Sequence, residues 1–259
     1  MRVTPAPDDA SIQLAQRLGA SASLCHVVSS EQLSTSIYQV VLGGNAAVLA
    51  GTPGNDVMIR LTDDKGRFVR RRYSVRDLDE VNDTFTLWIT VDHEGPGTTW
   101  IKSAHTGDLV DVIGPRGKVP LDDGAAWHLF MGDASGLGAF FRMAQSIEVP
   151  GQAVFIVEID APDDALSAPF DENLGVTGIF VDRQGRATSD PEGLLRGLAA
   201  FALPPGRGHA YLFGEFHVMR VLQLALVDRG LDLEQISHKA FWRSGRSNAD
   251  HGEPVKDDA

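Results

Sequence analysis

Between Ser21 and Pro120 the apolar residues come in short runs of strand length, divided by turn-forming clusters. Five runs are Leu24 to Val28, Ile37 to Leu42, Val57 to Leu61, Phe85 to Val91 and Leu109 to Ile113; a sixth, rich in arginine, spans Arg70 to Arg76. Gly43-Gly44, Asp63 to Gly66, Val81 to Asp83 and Thr106 to Asp108 provide the breaks. Six short strands at this spacing predict a small antiparallel barrel. After the stretch from Gly117 to Gly124 the pattern changes. Apolar runs at 127–131, 153–157, 178–181, 210–213 and 239–242 read as strands, and helical periodicity appears over Gly138 to Ile147, Pro191 to Phe201 and Glu215 to Arg229. Strands alternating with helices predict a doubly wound parallel sheet. The expected organisation is an N-terminal segment (1–20) with a short helical pattern over Ile12 to Leu18, a barrel domain (21–120), an α/β domain (121–246) and a polar tail (247–259) expected to be disordered.

Composition narrows the function classes. The 259 residues are 43% hydrophobic and 22% charged, which describes a soluble globular protein with room for two cores. No apolar run approaches the length of a membrane span, and no apolar segment follows a basic one at the N-terminus, so a cytoplasmic protein without membrane insertion is expected. A formal net charge of -12 argues against nucleic acid as partner. One cysteine, Cys25, rules out an internal disulfide and any cysteine-ligated zinc or iron-sulfur centre in the chain, which leaves redox chemistry to a bound organic cofactor.

Against that acidic background, Arg70-Arg71-Arg72-Tyr73-Ser74-Val75-Arg76 stands out. In an extended strand, Arg71, Tyr73 and Val75 share one face and Arg72, Ser74 and Arg76 the other. The first face offers a guanidinium fork for a phosphate and an aromatic plane two residues on, a pairing that suits a flavin nucleotide. Taken alone, the run is more commonly an edge strand with solvated arginines. A second stretch, His93 to Trp100, is a glycine-bearing turn opening a helix expected over Thr98 to Ala104. Such a turn presents backbone N–H groups to an anion, although an ordinary helix capped by Thr98 or Thr99 fits it as well. The third stretch, Met131 to Gly138, lies between the first strand and first helix of the α/β half, where doubly wound domains bind nucleotides. Its glycine spacing does not match G-x-G-x-x-G.

Six motifs in order then carry a resemblance that covers nearly the whole chain. Arg71-x-Tyr73-Ser74-x-Arg76, His93 with Gly95-Pro96-x-Thr98-x-Trp100, Gly114-Pro115-Arg116-Gly117, Gly132-Asp133, Phe213-Gly214-Glu215 and Phe241-Trp242-Arg243-x-Gly245 resemble the successive motifs of the siderophore-interacting proteins. These are flavin-dependent ferric-siderophore reductases built like ferredoxin-NADP reductase. The resemblance implies an FAD-binding barrel followed by a nicotinamide-binding α/β domain. It assigns Arg71 to the flavin phosphates, Tyr73 to the ring, Ser74 to the N5 edge and Gly95, Gly97 and Thr98 to the pyrophosphate, with Val75, Arg76, Val91, His93 and Thr99 completing the FAD set. Gly132, Asp133, Ser135, Gly214 and Glu215 fall to the nicotinamide donor, NADH or NADPH. The chain has Ala134-Ser135 where the family commonly has Glu-Thr, and its loop before Gly95-Pro96 is shorter than usual.

The expected activity is electron transfer from reduced nicotinamide through flavin to a ferric siderophore or other ferric chelate, with iron released on reduction. No protein acid or base and no resident metal is required. Arg72, Arg243 and Arg246 are candidates for attracting an anionic chelate. Two alternatives stay open: a flavin-dependent reductase serving an oxygenase or small-molecule pathway, and a non-enzymatic flavin- or siderophore-binding module. A monomer is expected. On the donor, Glu158 and Asp160 at the end of the second α/β strand favour NADH, because a carboxylate there binds ribose hydroxyls and repels a 2′-phosphate, whereas Arg183 after the third strand suits that phosphate. His26, His128 and His209 lack ligand-like spacing, and no Ser/His/Asp set in the sequence has hydrolase context.

Overall fold

The computed structural model describes residues 6–91, 94–117, 119–148, 153–165 and 177–245. The tail expected at 247–259 and the expected site residues His93 and Arg246 lie outside them. By their contacts the residues fall into two units, Met1–Leu121 with Leu137–Ser146, and Asp122–Gly136 with Ile147–Ala259.

Strand periodicity builds the first unit. In β5 (Thr84–Thr90), Phe85, Leu87 and Ile89 are buried while the residues between them stay partly exposed, the two-residue alternation of a sheet with one face on a core. With β5, the strands β1 (Ser21–Gln32), β2 (Ile37–Gly43), β3 (Asp56–Thr62), β4 (Phe68–Asp79) and β6 (Leu109–Arg116) form a closed barrel of order β1-β2-β5-β4-β3-β6. Every pairing is antiparallel, and closure leaves the sheet no unpaired edge. Val27, Val40, Leu42, Ile59, Val75, Leu87 and Val112 fill its interior.

Three helices serve this barrel from outside the strands. α1 (Asp9–Leu18) is started by Asp8, whose carboxylate accepts from the Ser11 N–H, and stopped by Gly19 in the left-handed region at φ 62°. α2 (Ala46–Ala50), too short to show in the hydrophobic pattern, buries Leu49 in the barrel core. α3 (Pro96–Ser103) starts two residues before the expected Thr98, because Pro96 fits the first helical turn and Gly95 supplies the N-cap. The Thr99 N–H already donates to the Gly95 carbonyl at 2.9 Å, so neither Thr98 nor Thr99 is the cap.

The helix expected in the α/β half over Gly138 to Ile147 is present as α4 (Leu137–Gln145) but groups with the barrel unit. Arg142 donates to the carbonyls of Ala50 (2.9 Å) and Gly51 (2.7 Å), Phe141 meets Trp88 edge-on at 5.4 Å, and Gln145 accepts from Arg76 at 2.8 Å. Helical periodicity shows that a segment has an apolar face; it does not say which sheet covers it.

In the second unit five parallel strands, β7 (Trp127–Asp133), β8 (Ala153–Ile159), β9 (Thr177–Asp182), β10 (Gly208–Glu215) and β11 (Ile236–Trp242), lie in the order β11-β10-β7-β8-β9. β7, β8 and β10 are buried along their whole length, as central strands of a parallel sheet are. Leu129, Met131, Ile156 and Leu212 pack with Leu194 and Leu198 of α5 (Glu192–Ala200) and Leu222 and Leu226 of α6 (Phe216–Asp228). The alternate residues form an aromatic layer, Phe130 lying 5.0 Å from both Phe155 and Tyr211. Among the described residues no helix is long and apolar enough to cross a membrane.

Candidate functional site

The arginine strand takes the expected alternation through Val75. Arg70 turns outward to the Ser11 hydroxyl (3.5 Å), and Arg72 forms a two-pronged pair with the buried Asp56 carboxylate at 2.9 and 2.8 Å. Arg71 and Tyr73 point the other way. Both reach the first turn of α3 at Gly97: a Cβ built there would overlap the Tyr73 hydroxyl and lie 4.0 Å from Arg71 Cγ. Tyr73 packs on the barrel core and lies 6.3 Å from the Trp100 ring at 30°. Burial pushes its phenol pKa up, with Arg71 acting against this, so the hydroxyl stays protonated at neutral pH. The Arg71 guanidinium donates to the Arg70 carbonyl at 2.9 Å.

Facing them, α3 begins at Gly95, an N-cap residue with no side chain to bond the first turn. A helix start of this kind, with its dipole and backbone N–H groups, favours an anion. Nothing lies within 4 Å of a Cβ placed on Gly95, and the part-exposed Thr98 and exposed Thr99 add hydroxyls beside it. A guanidinium, a neutral aromatic plane and an open glycine-bearing helix start are a donor set that fits a nucleotide pyrophosphate carrying a flat ring. Ser74 is buried, Val75 is wholly inside the barrel core, and Val91, packed on that core, donates its N–H to Ser36 at 2.8 Å.

Arg76, expected with the cofactor residues, has other partners. A bulge after Val75 shifts the pairing with β5, and the Arg76 guanidinium lies over Trp88 (5.0 Å) and Phe141 (5.5 Å) with Gln145 as acceptor. At 6% exposure it fastens α4 to the barrel. Arg72, expected near substrate, is likewise occupied by Asp56.

In the second unit, Gly132, Asp133, Ser135, Gly214 and Glu215 meet at the C-terminal ends of β7 and β10. The strand order reverses between these two strands, which is where open α/β sheets bind their ligands. Asp133 is the hub: one oxygen accepts from the Ser135 N–H (3.0 Å) and hydroxyl, the other from the Glu215 N–H (3.0 Å) and the Trp242 indole (3.1 Å). Gly214, at φ 145°, has no room for a side chain because a Cβ would strike the Asp133 carboxylate. Glu215 caps α6 by accepting from His217 (2.5 Å) and Val218 (2.9 Å), and also accepts from the Ser244 N–H at 3.1 Å. Arg243, the remaining substrate candidate, stacks over Phe216 at 4.9 Å.

Glu158 and Arg183 do not join that hub. They pair with each other at 3.0 Å at the ends of β8 and β9, where Arg186 also reaches Glu158 at 3.1 Å. Sequence reading missed Trp242, visible only within a longer motif, and Arg186, which nothing in the sequence marked. It also missed a chain from Asp122 through His209 (2.8 Å) to Ser237 (2.9 Å). That chain sits at the N-terminal edge of the sheet, away from the ligand-binding ends, and ties the start of the unit to β10 and β11. Cys25 is buried, its thiol pushed up to about 12 by burial and by Asp83 and Asp111, and is inert. Among the described residues no side-chain cluster is arranged to hold a metal ion.

Two family profiles match the chain, one described as siderophore-interacting FAD-binding domain over residues 55–119 and one as siderophore-interacting protein over 125–245. A siderophore utilization protein from T. fusca superposes with a TM-score of 0.78 at 26% identity, over 90% of this chain and 96% of that one. A ferredoxin NADP+ reductase from Neisseria gonorrhoeae with bound FAD and NADP shares the fold with a TM-score of 0.68 at 14% identity, over 85% of this chain and 99% of that one. Among curated sequences, the dihydroorotate dehydrogenase B electron transfer subunit of Bacillus cereus is 28% identical over 131 residues, 49% of this chain and 50% of its own length.

Proposed function

Because the chain belongs to the siderophore-interacting protein family, with the fold of the ferredoxin reductase-like flavoproteins, we propose that it reduces a ferric siderophore or a similar ferric chelate with electrons from NADH or NADPH. The observation that carries this reading is the shared orientation of Arg71 and Tyr73 toward the glycine-capped first turn of α3 at Gly97. When bound, FAD supplies the conversion of a two-electron donor into single electrons. Arg71 neutralises phosphate charge, and the α3 start with Gly95, Gly97, Thr98 and Thr99 receives the pyrophosphate on backbone N–H groups and hydroxyls. Tyr73, held neutral, provides an apolar plane with one donor, and Ser74 a buried hydroxyl on the same strand. Asp133, Ser135, Gly214 and Glu215 form the end of the sheet that receives the nicotinamide donor, and Arg243 places a cation beside it for an anionic chelate.

A second reading, electron delivery to a protein partner, is favoured by the likeness to electron transfer subunits over half the chain. Anaerobic stopped-flow of the photoreduced holoprotein separates the two. Reoxidation whose rate rises with ferric chelate concentration is the expected result; indifference to every chelate in a panel of catecholate, hydroxamate and carboxylate types would rule the ferric reductase reading out. Heat-released cofactor should run as FAD on chromatography, since the α3 turn suits a pyrophosphate.

A further inference from the structure

The ends of β8 and β9 carry five charged residues in one network. Glu158 is 2% exposed and Arg183 4%. Glu158 uses one oxygen for Arg183 Nε (3.0 Å) and the other for Arg186 Nη2 (3.1 Å). Arg183 also pairs with Asp160, and Arg186 Nε lies 3.6 Å from Asp190. The first turn of α5 is shaped around this arrangement: a Cβ on Gly193 would strike the Arg186 guanidinium and lie 2.9 Å from Glu158 Oε1. Glu158 is therefore too deeply placed and too fully engaged to meet a ribose, and both arginines are turned inward onto it. Asp160 is different. It follows the last residue of β8, and its side chain keeps 26% of its surface exposed.

From this geometry we infer that the network sets the donor preference: Glu158 sequesters Arg183 and Arg186 from a 2′-phosphate, and Asp160, braced by Arg183, is the carboxylate that meets the adenosine ribose, so that a 2′-hydroxyl donor is preferred. This rests on the nicotinamide-donor reading above. With three carboxylates against two guanidiniums the network is net negative, and a phosphate dianion beside it is repelled, while ribose hydroxyls donate to Asp160. Freeing either arginine would leave one oxygen of the buried Glu158 without its charged partner, which is unfavourable.

The test uses binding of donor fragments to the holoprotein by calorimetry, which needs no turnover. ADP-ribose is expected to bind at least about tenfold more tightly than its 2′-phosphorylated form. Arg186→Gln should leave that ratio within about twofold, because the wild-type arginine does not face the phosphate. Asp160→Asn should weaken ADP-ribose and narrow the ratio. Equal or tighter binding of the 2′-phosphorylated form overturns the inference, as does a loss of its binding confined to Arg186→Gln. Failure of both fragments to bind overturns the donor reading itself.

Discussion

Gly97→Ala isolates the contact on which the flavin reading depends. The missing side chain lets Tyr73 lie against the first turn of α3. A Cβ there would fall far inside 3.0 Å of the phenolic oxygen, whereas Tyr73 Cζ at 3.5 Å and Arg71 Cγ at 4.0 Å are ordinary contacts. Only the hydroxyl clashes, so the ring must tilt away by about 1 Å, and overpacking of that kind costs about 1–3 kcal/mol. Alanine's better helix propensity returns up to about 1 kcal/mol, leaving the apoprotein less stable by about 0–3 kcal/mol. The displaced ring matters more for the cofactor. Where the free protein relieves the clash by tilting the ring and FAD forces the ring back against Cβ, a further cost of about 1–3 kcal/mol falls on the bound state alone and the FAD Kd rises roughly 5- to 150-fold. In a Tyr73→Phe background the clashing atom is gone, and the same glycine substitution should cost under about 0.5 kcal/mol in FAD binding, a coupling that a double-mutant cycle measures. Flavin titration followed by fluorescence quenching, with urea unfolding of the apoprotein alongside, provides both numbers. An unchanged Kd in Gly97→Ala, or an undiminished penalty in the Tyr73→Phe background, would refute the arrangement.

Arg71→Ala should weaken flavin binding by about 1.5–3 kcal/mol, the worth of a charge-assisted phosphate contact, while Arg70→Ala on the opposite face leaves occupancy nearly unchanged; equal occupancy in the two would count against this orientation. Arg142→Met removes two charge-assisted bonds to the Ala50 and Gly51 carbonyls under a buried helix and should destabilise the barrel unit by about 3 kcal/mol in urea unfolding, with a loss below about 1 kcal/mol contradicting its bracing role. The third concerns pH. Burial holds both His128 and His209 below the ordinary value of 6.5, with His209 adding to the effect on His128 and Asp122 opposing it on His209. The unfolded imidazoles therefore bind protons that the folded ones refuse, so stability is fully present above pH 6.5 and declines as the pH falls through 6.5 toward the folded values. Thermal midpoints should drop between about pH 7.5 and pH 5.5, and His209→Gln should flatten part of that slope; a flat wild-type profile would contradict the assignment.

Local chemistry alone determined much of this protein. Short runs of strand length and the glycine or aspartate breaks between them located all six barrel strands, and the alternation of apolar strands with helices located the parallel sheet, because strand pitch and helix pitch are properties of the residues in each segment. The opposition of Arg71 and Tyr73 to Arg70 and Arg72 was legible for the same reason. What lay beyond the sequence is the choice of distant partner. Four arginines in seven residues look alike along the chain, yet Arg72 pairs with Asp56, Arg76 reaches Gln145, Trp88 and Phe141, and Arg70 turns to Ser11, while Arg71 lies beside Tyr73 at the α3 turn. Glu158 and Arg183 looked like competing donor-site residues, and folding joined them into one buried pair with Arg186. α4 carries an apolar face that suits either unit, and its side chains found the barrel. Charge pairing and burial are settled by proximity in three dimensions, and a carboxylate 16 positions away, as for Arg72, or an amide oxygen 69 positions away, as for Arg76, leaves no local periodicity to read; in a folded core, where an unpaired charge is costly, that proximity decides which partner each polar residue takes.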